Sequence, residues 1–149
     1  MGIGGFNEKV LNTAELFSTV TNEWSPLPRL NKARQSPGSC LLKSMKAFCF
    51  CGFNEFSNIN SIEIFSIGND DKWSLLPIDS RVAATQQLVA VSYEESIIVF
   101  GGTQLSTYCM YLFSQNGEFL CDMSSLPDIP GFMCQGVTVA SEGKIYAFG

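Results

Sequence analysis

The chain has 149 residues, 46% of them hydrophobic and 15% charged, with a net charge of −5 and no histidine. That length fits one domain with a sizeable core, and the hydrophobic share argues against disorder. An acidic balance is the opposite of the basic surplus that nucleic-acid binding requires. Without imidazole there is no Ser-His-Asp or Cys-His nucleophile system and no His-ligated zinc, copper or non-haem iron site. No catalytic group, cofactor or metal site is therefore expected.

The first ten residues, MGIGGFNEKV, lack the basic and long apolar regions of a signal peptide. Gly2 follows Met1, but Phe6 stands where N-myristoylation wants Ser or Thr. The longest uncharged stretch, Ser96 to Gly117, is interrupted by Gly101, Gly102, Gln104 and Asn116. It reads as strand, loop, strand, so no membrane span is expected. The six cysteines, at 40, 49, 51, 109, 121 and 134, lack the spacing of a compact secreted scaffold, and no Asn-x-Ser/Thr acceptor occurs. A reducing, cytoplasmic setting is the expectation.

Taken in order, the chain repeats itself. Gly4-Gly5-Phe6-Asn7 returns as Cys51-Gly52-Phe53-Asn54 and again as Gly101-Gly102-Thr103-Gln104. Asn12-Thr-Ala-Glu-Leu-Phe17 returns as Asn60-Ser-Ile-Glu-Ile-Phe65 and, more weakly, as Tyr108-Cys-Met-Tyr-Leu-Phe113. Trp24-Ser-Pro-Leu-Pro28 returns as Trp73-Ser-Leu-Leu-Pro77, and the third copy keeps only Leu126-Pro127, with Met123 in the place of the Trp. Arg34 is matched to Arg81 and has no third counterpart. A fourth start appears at Tyr146-Ala-Phe-Gly149. The period is 47 to 50 residues, in the range of solenoids and propellers.

Each period reads as all-β, with short apolar or alternating runs separated by Gly, Asn, Asp and Ser. The second unit predicts strands at Ser39 to Lys43, Ala47 to Gly52, Ser61 to Ile67 and Trp73 to Leu76. Four strands per period, begun anew each time, describe a propeller blade. One such sheet cannot bury both of its faces, and stacking against neighbours does so. The Trp at the start of the outer strand is placed to cover the seam between blades. The expected organisation is one repeat region over 1–149, with units at 1–37, 38–84 and 85–133 and a partial unit at 134–149. The third unit, which lacks the Trp and the Arg, is expected to be the least regular.

These residues resemble the kelch repeat family: a doubled glycine, then an aromatic-bearing strand about twelve residues later, a Trp about seven beyond that, and a following Arg. The likeness covers essentially the whole chain. A WD-type propeller would need a shorter period and Gly-His and Trp-Asp signatures. The resemblance implies an all-β fold of four-stranded antiparallel kelch-type blades, here a partial β-propeller of about three. Closed propellers have four to eight blades, so the chain is expected to be incomplete and completed by further blades. The alternative is a ring that two such chains complete.

The resemblance also implies a non-enzymatic protein-binding module. Its settings would be a scaffold, cytoskeletal or signalling, or a ubiquitin ligase adaptor that recognises substrates. The loops from fourth to first strands (Arg29 to Pro37, Ile78 to Thr85, Asp128 to Cys134) and from second to third strands (Asn7 to Asn12, Phe53 to Asn60, Thr103 to Tyr108) would share the face that binds a partner. Arg29, Lys32, Arg34 and Arg81, four of nine basic residues, fall in the first set. Arg donors suit carboxylates, so these residues with Asn54 are candidates for contacting an acidic peptide segment of a protein partner. Against this, Arg34 and Arg81 can brace neighbouring blades, and Asn54 can simply form a turn. Cys49 and Cys51, two apart on a strand, are expected on one face as small core residues. The rival reading is part of a sugar-modifying enzyme such as an epimerase, with Arg34 or Arg81 and Glu15 or Glu63 as its polar pairs.

Overall fold

A computed structural model describes residues 1–83, 85–102, 109–123 and 137–148. The described residues form strands, turns and irregular loops, with no helix among them. The third copies of both loop sets, at 128–134 and 103–108, together with Leu126-Pro127, Cys134 and Gly149, lie outside the described residues.

The first unit holds β1 (Gly2–Ile3), a small hairpin of β2 (Phe6–Asn7) and β3 (Lys9–Val10), then β4 (Ala14–Ser18) and β5 (Glu23–Leu27). β1, β4 and β5 make a three-stranded antiparallel sheet. The second unit is a four-stranded meander of β6 (Gly38–Leu41), β7 (Lys46–Phe50), β8 (Ser61–Ser66) and β9 (Ser74–Pro77). The third repeats it as β10 (Leu88–Tyr93), β11 (Ser96–Gly101), β12 (Met110–Ser114) and β13 (Phe119–Asp122). A two-stranded hairpin of β14 (Val137–Ser141) and β15 (Lys144–Phe148) follows. All pairings are antiparallel, and all but β1–β4 join sequence neighbours, as the four-stranded blades of a partial propeller require. The four second-unit strands predicted from sequence are present with ends shifted by one or two residues. The third sheet has a register shift at Leu112/Phe113, but among the described residues the first unit, with its three-stranded sheet and separate hairpin, departs further from the four-stranded pattern.

The inner hairpins turn tightly because single residues accept the left-handed region. Met45 (φ 61°) closes the β6–β7 turn, and Glu142 and Gly143 (φ 51° and 72°) close β14–β15. Gly52 is one position where only glycine fits. Its φ is +99°, and a Cβ there would meet the Gln35 carbonyl oxygen at 2.9 Å.

Strand alternation gives each sheet two faces, and the core lies in the seams between sheets. Ala47, Cys49, Phe65 and Trp73 of the second sheet pack on Ala14, Ile3, Leu27 and Leu30 of the first unit. Phe48, Phe50, Ile62 and Ile64 on its other face meet Ile97, Val99, Tyr111 and Phe113 of the third, with Phe50 and Phe113 ring centroids 5.0 Å apart. Val91, Ile98 and Phe100 receive Ala140 and Ala147 of the last hairpin. Cys49 and Cys51 contradict the expectation of a shared face. Cys51 lies just past the end of β7 with φ 51°, and that left-handed kink swings its side chain into the seam with the third sheet, while Cys49 stays in the seam with the first.

An aromatic pair recurs at one place in all three sheets. Phe17 and Trp24 lie 5.2 Å apart, as do Phe65 and Trp73, and Phe113 and Phe119 lie 6.0 Å apart. The register sets Phe119 opposite Phe113 as it sets Trp24 opposite Phe17. Phe119, not Met123, is therefore the third counterpart of the tryptophans. Trp24 and Trp73 share this local setting but not their cover. Trp73 is 2% exposed and donates from Nε1 to the Pro28 carbonyl across the seam (2.8 Å), whereas Trp24 is 57% exposed.

Candidate functional site

One end of the stacked sheets is built from loops that backbone hydrogen bonds tie together. Leu30 N–H donates to the Asn12 carbonyl, Arg34 N–H to Leu11, Gly5 N–H to Arg34 and Gly52 N–H to Thr85. Gln35 and Phe53 exchange bonds, and Val10 N–H donates to Glu55 Oε1 at 2.9 Å. The described loops of both expected sets thus form one continuous surface, set by the strand ends beneath it.

Arg34 lies beneath that surface, fully buried, with its guanidinium against the equally buried Glu63 carboxylate at 2.7 Å. It also donates to the carbonyls of Cys51 (2.7 Å) and Ser61 (3.2 Å). Glu63 further accepts from Asn31 N–H (2.6 Å), Asn31 Nδ2 and Lys32 N–H. This lock fastens the loop of the first unit onto β8 of the second. The Glu63 carboxylate is spent on it and meets no solvent. The polar pair offered for acid–base chemistry is therefore a structural bond without access to a substrate.

The structural counterpart of Arg34 in the next loop is Thr85, not Arg81. Gly52 N–H bonds the Thr85 carbonyl as Gly5 N–H bonds that of Arg34. The left-handed Ser36 and Gln87 (φ 48° and 62°) sit two residues beyond each. Strand register likewise makes Tyr111 the counterpart of Glu63. Arginine and glutamate are thus exchanged together for threonine and tyrosine. The Tyr111 hydroxyl oxygen accepts from Ala83 N–H at 3.3 Å, and burial raises its phenol to about 12.

Arg81, with no carboxylate to reach inside, stays exposed. It makes two bonds of 2.8 Å to Asp79 and lies 4.2 Å over the Phe119 ring. Those Arg81 hydrogen bonds hold the half-buried Asp79 carboxyl down at about 2.

The remaining candidates reach the surface differently. Arg29 is exposed and donates to Asn12 Oδ1 (3.0 Å), and the Lys32 side chain is exposed. Neither takes part in an ion pair, the two ion pairs among the described residues being Arg34–Glu63 and Arg81–Asp79. Asn54 accepts from Phe56 N–H and Ser57 N–H through Oδ1, an Asx turn that shapes its loop. That turn holds Phe56 out at 88% exposure beside the Phe6–Val10 hairpin, where Phe6 is 61% exposed. Phe6 and Phe56 are surface residues that the sequence did not single out. The signal available was an aromatic inside a polar loop, FNEK and NEFSN, but Phe6 stood within a repeat landmark read as structural, and Phe56 lay in a loop assigned to the binding face without being picked out.

The fold and this loop surface define a class: stacked four-stranded blades, with connecting loops gathered on one face. Residues 3–31 match the family model described as Kelch motif, so the resemblance read from the repeats is borne out for the first unit. Kelch repeats commonly serve as protein-interaction domains rather than enzymes. No curated protein matches the chain.

Proposed function

We propose that this chain is a non-enzymatic protein-binding module whose loop face takes an acidic peptide segment of a protein partner. The observation that carries the reading is the placement of two unpaired cations, Arg29 and Lys32, on the same knitted loop surface as the exposed rings of Phe6 and Phe56. A partner supplying a carboxylate and an apolar side chain would satisfy both kinds of group. Aromatic and Arg anchors are the groups that dominate protein interfaces. Arg81 contributes less to such a contact, since its guanidinium already serves Asp79 and Phe119. Arg34 contributes through stability alone. A cytoplasmic scaffold or adaptor role agrees with the acidic charge and the free, buried cysteines.

Selection from a displayed random-peptide library tests the proposal. Enriched peptides should carry Asp or Glu beside an apolar residue and bind more weakly as salt is raised. Arg29→Glu with Lys32→Glu, or Phe6→Ser with Phe56→Ser, should abolish that binding without lowering the melting temperature. Peptides that bind both double variants as they bind the original chain would defeat it.

A further inference from the structure

Val10, Leu11 and Asn12 form a strip that both halves of the loop face grip. On one side, Arg34 N–H donates to the Leu11 carbonyl and Leu30 N–H to the Asn12 carbonyl, while the Arg29 guanidinium donates to Asn12 Oδ1 at 3.0 Å. On the other side, Val10 N–H donates to Glu55 Oε1 at 2.9 Å. Phe56, directly after Glu55, is 88% exposed. A side-chain bond therefore joins the loop that carries the bare ring to the strip that carries the cation-bearing loop.

Blade packing does not account for that arrangement. The root of the Phe56 loop is fixed independently, since Gln35 and Phe53 exchange backbone bonds and Ile59 N–H donates to the Gly52 carbonyl. The seam beneath is closed by Trp73 and by the buried Arg34–Glu63 pair, whereas Glu55 is exposed. The bridged residues Phe6 and Val10 enclose three residues, and their counterparts Phe53 and Asn58 enclose four. Phe56 stands in that enlarged turn. Glu55 also holds φ at 79°, a left-handed conformation that a residue with a side chain enters at a cost and glycine enters freely. Glycine there could not reach Val10.

We infer that Glu55 is a positioning residue of the loop face, holding Phe56 at a set place relative to Arg29 and Lys32 through its bond to Val10. The inference rests on the binding role proposed above for those three side chains. Asn54 completes the device, because its Oδ1 accepts from Phe56 N–H and Ser57 N–H and fixes the turn that Glu55 carries across. A ring held before the partner arrives spares the ordering of a loop on association, which otherwise subtracts from affinity. The partner segment must then present its apolar side chain and its carboxylate at one spacing, and not merely contain both.

Two readouts on the full 149-residue chain test this. Amide exchange at Val10 and nitrogen relaxation at Phe56 report the free loop, and calorimetry with an octapeptide of alternating aspartate and leucine reports binding. Glu55→Ala should speed exchange at Val10, loosen Phe56 and weaken octapeptide binding about tenfold, the worth of one hydrogen bond, with the melting temperature little changed. Glu55→Gln, whose amide oxygen accepts the same bond, should restore all three. Glu55→Asp, one methylene short, should restore none. Unchanged exchange at Val10 in Glu55→Ala, unchanged octapeptide binding there, or a Glu55→Gln chain as weak as Glu55→Ala would each overturn the inference. Should the octapeptide bind no chain, the proposed function falls by itself. Phe56 loosened by Glu55→Ala and tightened again by Glu55→Gln would then uphold the positioning role, and Phe56 unmoved by either would overturn it.

Discussion

A charge pair can be conserved in geometry and still be replaceable in chemistry, and the two internal seams of this molecule show both cases. At the first, Arg34 and Glu63 are buried together, and at the second Thr85 and Tyr111 stand in their places. Removing one partner of a buried ion pair leaves the other uncompensated. Arg34→Met or Glu63→Gln should each cost about 3–5 kcal/mol in urea unfolding. Arg34→Thr with Glu63→Tyr, which copies the other seam, should cost less than the sum of its single changes, a coupling that a double-mutant cycle reads directly.

Buried thiols give a second residue-level expectation. Burial raises Cys40 and Cys49 from the ordinary 9.0 to about 12, and raises Cys51 as well. The folded state thus keeps protons that the unfolded chain releases. The stability these thiols lend is complete below pH 9 and fades as the pH climbs towards 12. Chemical denaturation across that interval should show the decline, and a smaller one for Cys40→Ala/Cys49→Ala measured against its own neutral-pH value, since Cys51 and Tyr111 remain. At neutral pH a thiol reagent should label exposed Cys121 well before Cys40, Cys49 and Cys51, which become available only on unfolding.

At the scale of elements, each seam needs a side chain that reaches across and a backbone that lets the neighbour approach. Trp73 does the first, by ring burial and its bond to Pro28. Trp73→Phe should cost about 1–2 kcal/mol by removing that bond and part of the ring. Trp24→Phe should change stability by less than about 0.5 kcal/mol, as exposed positions do. Gly52 does the second. Gly52→Ala should cost about 2–4 kcal/mol, because the added methyl meets both a forbidden backbone region and the Gln35 carbonyl.

Over the whole molecule, stability should be graded along the stack, since each sheet rests on its neighbours and not on a common centre. β7, β8 and β11 are buried on both faces, while β14–β15 is covered on one side only. Amide exchange should be slowest in β7, β8 and β11 and fastest in β14–β15. Uniform protection across all four sheets would contradict a sheet-by-sheet architecture.

Period, strand content and the division into sheets were legible from the sequence because they follow from alternation and from landmarks recurring at a fixed offset. Phe17, Phe65 and Phe113 mark one strand position in three copies, and their neighbours fix the strands around them. Partnership across seams was not legible. Arg34 and Arg81 align by spacing, yet one is locked inside and the other stands in solvent, because the deciding residue is Glu63 or Tyr111 on a strand 29 or 30 residues further on. Phe119 takes the tryptophan's role through register, not through its distance from Leu126-Pro127. The sequence by itself therefore determined the kind of sheet and how often it recurs, since both depend on local periodicity. Only the tertiary structure decided which cations reach solvent and which aromatic rings are covered, since those depend on what each neighbouring sheet presents across a seam.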